Sequence, residues 1–211
     1  MRRFVIFLFS LIVVLSVSAQ HRHKSSHQFD FTARAGINLG QIDGDSDGNY
    51  SHIGFNVGVN TSFPISHSNP NLRMLVELGL TNKGSVVSAI NRHISCTYFE
   101  VPILVTYSFG NIESQQLRVG AGIAPAFLGW ASVTDWGNHN PLLEQNFRRM
   151  DRLPLCLDAQ YRFNGHWGLD IRYTNSFLSI AKEAGSGTYR LFRSNKGIFN
   201  NILAASITYR F

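Results

Sequence analysis

Eight stretches of this sequence alternate apolar and polar residues by twos, and each is long enough to cross a lipid bilayer. They run Phe29–Gly40, His52–Ile65, Leu72–Lys83, Ile94–Phe109, Leu117–Trp130, Arg152–Phe163, Trp167–Phe177 and Phe199–Phe211. A repeat of two is the side-chain repeat of a β-strand, since successive Cβ atoms point to opposite faces. Strands of soluble sandwiches average about 5 or 6 residues, whereas a tilted strand needs about 9 to 11 to cross a membrane. The shortest stretch, Trp167–Phe177, has 11 residues. An even number of such strands points to an all-β fold, an eight-stranded antiparallel up-and-down transmembrane β-barrel.

The connections support this reading. Residues 41–51, 84–93, 131–151 and 179–198 form long connections, and 66–71, 110–116 and 164–166 form short ones. Outer-membrane barrels have long external loops and short periplasmic turns, which puts both ends of the chain in the periplasm. At the short-turn end the outward parity carries Phe29, Phe31, Phe63, Tyr107, Phe109, Tyr161, Phe163, Trp167, Tyr209 and Phe211. Amphipathic rings settle at a membrane interface and ring a barrel as a girdle. Val57, Val101 and Ile171 are expected to face lipid in mid-strand. Mean hydropathy is near zero, as expected when only alternate residues are apolar.

The first 19 residues read as a signal peptide. Met1-Arg2-Arg3 is positive, Phe4–Val17 is apolar apart from two serines, and Val17-Ser18-Ala19 offers small residues at a cleavage site. That apolar run is too short for a membrane-spanning helix. Residues 20–28, rich in His, Lys, Arg and Ser, read as a disordered periplasmic lead-in rather than a metal-binding tract. The barrel domain then spans 29–211. Phe211 closes an alternation through Tyr209, Ile207, Ala205 and Leu203, and this pair of aromatics is expected to act as the signal for the barrel assembly machinery. The net charge of +6 is too diffuse to favour nucleic acid, which an exported protein would not meet.

The inward parity is charged. Arg34, Glu77, Glu100, Arg118, Asp158, Arg162, Asp170 and Arg172 are expected to form a polar network, joined by Arg73, Lys83, Arg152 and Arg210. Eight-stranded barrels have interiors that side chains fill, and an unpaired charge there is costly, so a cross-paired plug is expected rather than a pore. Cys96 and Cys156 share the inward parity at similar depth, with one strand between them. Second-neighbour strands stand about 9 to 10 Å apart, too far for a disulfide, so two free buried thiols are expected.

Several segments resemble a known family. Phe31-Thr-Ala-Arg-Ala-Gly-Ile-Asn-Leu39, Gly54-Phe-Asn-Val-Gly58, Glu77-Leu-Gly-Leu-Thr-Asn-Lys-Gly84, Tyr98-Phe-Glu-Val-Pro-Ile-Leu-Val-Thr-Tyr107 and Gly120-Ala-Gly-Ile-Ala-Pro125 are similar to the PorT-type outer-membrane β-barrel family of the Bacteroidetes. The resemblance covers nearly the whole chain after residue 28. It implies an integral outer-membrane protein, and its namesake takes part in type IX protein secretion. It supplies no catalytic residues.

Other constellations are weaker. Asp43, Asp45, Asp47 and Gly48 match the start of a calcium-binding loop, but Gly54 stands where the bidentate Glu belongs, so a solvated acidic turn is expected. Ser66-His67-Ser68 lies in a periplasmic turn, the wrong end for a lipid-modifying site. His139, Asp135 and Glu144 share an external loop and offer an alternative catalytic rim. The expectation is a non-enzymatic integral outer-membrane barrel with an envelope structural or interaction role and no cofactor or metal. Its partners would be outer-membrane lipid, the assembly machinery and other envelope or secretion proteins. A component of type IX secretion and a lipid-modifying barrel enzyme are the alternatives.

Overall fold

The computed structural model describes residues 29–44, 49–110, 116–182 and 197–211. The signal peptide, the lead-in and the acidic loop positions Asp45, Asp47 and Gly48 lie outside the described residues. Twelve strands form one closed antiparallel sheet. They are β1 (Asp30–Asp43), β2 (His52–Pro64), β3 (Leu72–Val87), β4 (Arg92–Glu100), β5 (Ile103–Gly110), β6 (Gln116–Ile123), β7 (Ala126–Asp135), β8 (Asn138–His139), β9 (Met150–Asp151), β10 (Pro154–Arg162), β11 (Trp167–Ser176) and β12 (Phe199–Arg210). One short helix, α1 (Pro141–Glu144), caps the external side.

These strands make eight staves. β1, β2, β3, β11 and β12 are staves by themselves, while β4 with β5, β6 with β7 and β9 with β10 make one each. Closure comes from β1 pairing with both β2 and β12 along most of its length. Thus the eight-stranded antiparallel barrel read from the alternation is the fold, but three staves are broken where continuous strands were expected. The cause is proline, which has no N–H to give to a ladder. Pro102, Pro125 and Pro154 fall on neighbouring staves, and single bonds cross the breaks. Glu77 N–H donates to the Pro102 carbonyl at 2.9 Å, Val101 N–H to Pro125 at 2.9 Å and Ala124 N–H to Pro154 at 3.0 Å.

Two expectations fail at these breaks. Arg152 is exposed rather than inward, because the chain turns between β9 and β10 and gives the inward place to Asp151. Val101 is half-buried beside the break, just beneath the external edge, and not in mid-membrane. A third concerns the external loops. β3 runs on to Val87 and β4 starts at Arg92, so most of the expected loop 84–93 is strand, closed by a single 3-10 turn at Ser88–Ile90.

The strands continue because their alternation inverts. Across the bilayer Phe99, Val105 and Ile171 face out while Glu100, Thr106 and Arg172 face in. Further up, Ser95, Ser132 and Thr134 take the outer side. Ile94, Cys96 and Val133 turn inward, where they pack with Ile42, Tyr98, Phe147 and Ile180. A strand in water wants polar out and apolar in, the reverse of a strand in lipid. A bulge at Gly129, opposite Thr97/Tyr98, shifts the register by one residue, and beyond it Trp130 faces out. At the mouth, Gly40 of β1 and Gly84 of β3 meet: a Cβ on Gly40 would lie 2.7 Å from the Gly84 carbonyl oxygen.

Outward aromatics mark both membrane edges. The periplasmic girdle is a contact chain of rings, Phe29 with Phe63, Tyr107 with Phe109, and Tyr209 with Trp167 and Phe211. An external belt that the sequence reading did not single out holds Phe55, Phe99, Phe127 and Trp130, all exposed. From Phe99 to Phe109 is ten residues along one stave. At about 3.3 Å per residue and a tilt near 40° that is about 25 Å, the height of a barrel's apolar band.

Candidate functional site

Among the described residues the buried charges are concentrated in the lumen, and they are arranged in tiers. Strand parity turns alternate residues of every stave inward, and the shear of the barrel decides which of them meet. In the middle tier, Arg172 Nη1 and Nη2 donate to the two carboxylate oxygens of Glu77 at 2.9 and 3.0 Å, and its Nε donates to Asp158 Oδ1 at 2.8 Å. Arg34 donates from Nη1 to Asp170 Oδ1 at 3.1 Å and from Nη2 to Asn56 Oδ1 at 2.8 Å, and its Nε lies 3.5 Å from Glu77. Ser206 donates to the same Asn56 oxygen at 2.7 Å. Five of the eight residues named from the sequence therefore form one cluster: Arg34, Glu77, Asp158, Asp170 and Arg172.

The remaining three lie elsewhere. Glu100 sits in a higher tier, paired with Lys83 and accepting from Thr81 Oγ1 at 2.8 Å. Beside it Asp151 accepts from Ser176 and, at 3.5 Å, from Asn200. Arg162 lies at the periplasmic end. It donates from Nη1 to Gln116 Oε1 at 3.1 Å and stands 3.7 Å from Asp30, which also pairs with Arg210. Arg118 is buried at the same end, and its Nε has no hydrogen-bond partner among the described residues. Tyr209 and Phe211 lie outside the lumen, in the girdle, with Phe211 N–H donating to the Phe31 carbonyl at 3.1 Å.

Asp30 and Asp151 were missed. Asp30 shares the parity of Arg34 and was readable on that ground. Asp151 became visible only with the break before Pro154.

Water has almost no access to these groups. Arg172 is 4% exposed, Glu77 3%, Lys83 1% and Asn200 0%. The apolar cluster around Tyr98 and Phe147 closes the external end. Among the described residues, side chains packed this closely leave no open aqueous path, and the charges are held by each other. Both thiols are free and buried, but not at similar depth. Cys96 belongs to the external apolar cluster and Cys156 to a separate one with Leu75, Leu104 and Ala124. By register Cys156 lies across Gly122 from Leu104, eight residues along the stave that carries Cys96.

The external rim divides its expected triad. His139 Nδ1 lies 3.3 Å from Glu144 Oε1, but that oxygen also accepts from the Val133 N–H at 2.9 Å. Asp135 instead pairs with Arg92 and accepts from Asn140 Nδ2 at 2.9 Å. In the periplasmic turn, Ser66 bonds Ser68. Asp43, the described member of the acidic loop, accepts from Gln41 Nε2 at 2.7 Å. Among the described residues no three His, Cys, Asp or Glu side chains gather as metal ligands.

The family pattern of the outer membrane protein β-barrel domain matches residues 18–182. The chain belongs to that family. It is an outer-membrane protein, and the match takes in every stave except β12. Among solved structures it resembles Ail, the attachment invasion locus protein of Yersinia pestis, at 13% identity and a TM-score of 0.51, covering 87% of this chain and 99% of that one. It is also similar to Neisserial surface protein A, at 15% identity and a TM-score of 0.49, over 86% of this chain and 97% of that one. Identities this low carry the fold alone. Among curated proteins none matches the chain.

Proposed function

We propose that this is a non-catalytic outer-membrane barrel of the PorT type, exported by a signal peptide, which works by contacting other envelope proteins through its external end. The closed lumen carries this reading, since side chains that exclude water leave the surface as the working part. Above the membrane, β3, β4 and β7 continue as a buttressed extension that ends in exposed Trp136 and Leu142. Trp136 has φ 51°. A bulky side chain in left-handed backbone is held at a cost, and such positions gather where a surface is used. The paired contacts of His139 and Glu144 act as loop supports rather than as a catalytic rim.

The test is photo-cross-linking in intact cells from probes at Trp136 and Leu142. Cross-links to envelope proteins are expected there and not from Ile171, which faces lipid. Equal yields at all three positions, or steady single-channel conductance of the purified protein in planar bilayers, would overturn the reading. The PorT-like motifs in β1, β2, β3, β4 and β6 favour a secretion component as the particular role. Its mark would be loss of surface-exported proteins when the chain is deleted.

A further inference from the structure

Four cations crowd one sector of the external edge. Arg148, Arg149, Arg152 and Lys182 are all exposed. They belong to one hydrogen-bonded patch. Phe127 pairs with Met150, Arg148 N–H donates to the Ile180 carbonyl at 2.6 Å, and Lys182 N–H donates to the Asn146 carbonyl at 2.8 Å. Two of the side chains are tied down at the patch: Arg148 Nε donates to the Ala181 carbonyl at 2.9 Å and Lys182 Nζ to the Gln145 carbonyl at 2.6 Å. Among the described residues Arg149 and Arg152 form no ion pair. By contrast Arg92, also at the external end, is paired with Asp135.

Their height is set by the staves. Arg152 lies eleven residues above Phe163 of the periplasmic girdle. At about 3.3 Å per residue and a tilt near 40°, that is about 28 Å, the outer limit of the hydrocarbon. Directly around and beneath the cations, Phe127, Leu153 and Phe177 are exposed at 48%, 43% and 54%. The surface is thus amphipathic in one step, apolar against acyl chains and cationic at the level of headgroups.

A guanidinium on a barrel wall at this height draws an anion that arrives with the lipid, because among the described residues no carboxylate pairs with Arg149 or Arg152. We propose that Arg149 and Arg152, flanked by Arg148 and Lys182, bind phosphate groups of the phosphorylated glycolipid in the outer leaflet. The planar fork of arginine matches phosphate, and juxtamembrane cations add up at an anionic surface. The apolar collar selects a lipid over a free anion, because a soluble phosphate gains nothing from Phe127, Leu153 and Phe177. This site lies on the outer wall and is independent of the protein contacts proposed for the hairpin tip.

The test uses the full barrel folded in detergent, titrated with lipid A and with enzymatically dephosphorylated lipid A, with retained lipid counted by native mass spectrometry. The phosphorylated form should bind about thirtyfold more tightly, the gain expected from two cations at an anionic surface. Arg149→Gln with Arg152→Gln should erase that preference while leaving heat-modifiable migration unchanged. Inorganic phosphate should not compete. Equal binding of the two lipids by the unaltered protein refutes the site without any variant. Competition by inorganic phosphate, or a full preference in the folded double variant, refutes it as well.

Discussion

Replacing Arg172 by Met puts the closed lumen to its hardest test. Arg172 is 4% exposed and meets both Glu77 and Asp158. Met keeps much of the volume but withdraws the charge. Glu77 retains Arg34 at 3.5 Å, whereas Asp158 loses the guanidinium it hydrogen-bonds. Breaking a buried pair from one side costs about 3 to 5 kcal/mol, because the abandoned ion cannot reach water. With Glu77 partly covered, the middle of that range applies, about 4 kcal/mol, or roughly a thousandfold in the folding equilibrium. Asp158→Asn in the same background removes the stranded carboxylate and should recover more than half of the loss. Urea unfolding in lipid vesicles, followed by tryptophan emission and by the heat-modifiable gel band, measures all three proteins. Unfolding of Arg172→Met at the unaltered midpoint would show that the lumen is solvated. A double variant weaker than the single one would show that the loss comes from packing rather than charge.

Ile171→Arg and Val105→Arg, both outward near the middle of the apolar band, should each cost about 2 to 4 kcal/mol in the same titration, against little change for Arg at exposed Leu142. Cys96 and Cys156 should react with maleimide only after unfolding, and digestion without reductant should yield no peptide linking them. Deleting Phe211, which sits 75% exposed in the girdle, should lower the amount of barrel recovered in outer membranes; unchanged recovery would remove it as an assembly signal.

The strand count, the lipid-facing side and the periplasmic girdle were legible because each depends only on parity, and parity is a local property of the chain. Pro102 shows how local reading also misleads. It breaks stave four without shifting parity, so Phe99 and Ile103 stay on the same side and the gap leaves no trace in the alternation. Pro154 is different: there the break changes sides, which is why Arg152 was assigned inward and Asp151 was overlooked. The partners inside the lumen were out of reach for another reason. Arg172 and Glu77 are 95 residues apart and not on adjacent staves. Their meeting depends on shear and on how far a side chain crosses the axis. Parity says that both point inward, and nothing in a single strand says that they touch. The external cap was seen only in part: Ile94 and Cys96 were read as strand, but Val133 was read as loop, because its inverted alternation does not look like a strand to anyone assuming that lipid lies outside the whole stave.

The three aligned prolines also act like a perforation in a sheet of paper. Along Pro102, Pro125 and Pro154 the continuous ladder is replaced by single bonds, so bending stiffness drops along a diagonal that runs just under the external belt. Below that line the wall is a uniform ring, held in register from stave to stave. Above it β4, β7 and β9 form a panel with an apolar filling of its own. The tier of Lys83, Glu100 and Asp151 stands at and above that line and the tiers of Arg172 and Arg162 below it, so a strain applied to the outside, by a bound neighbour or by a thickening leaflet, is expected to reach the upper tier and to yield at the perforation before the lower two. The middle and periplasmic tiers are the part of the lumen expected to feel least of whatever pulls on the cell-surface end.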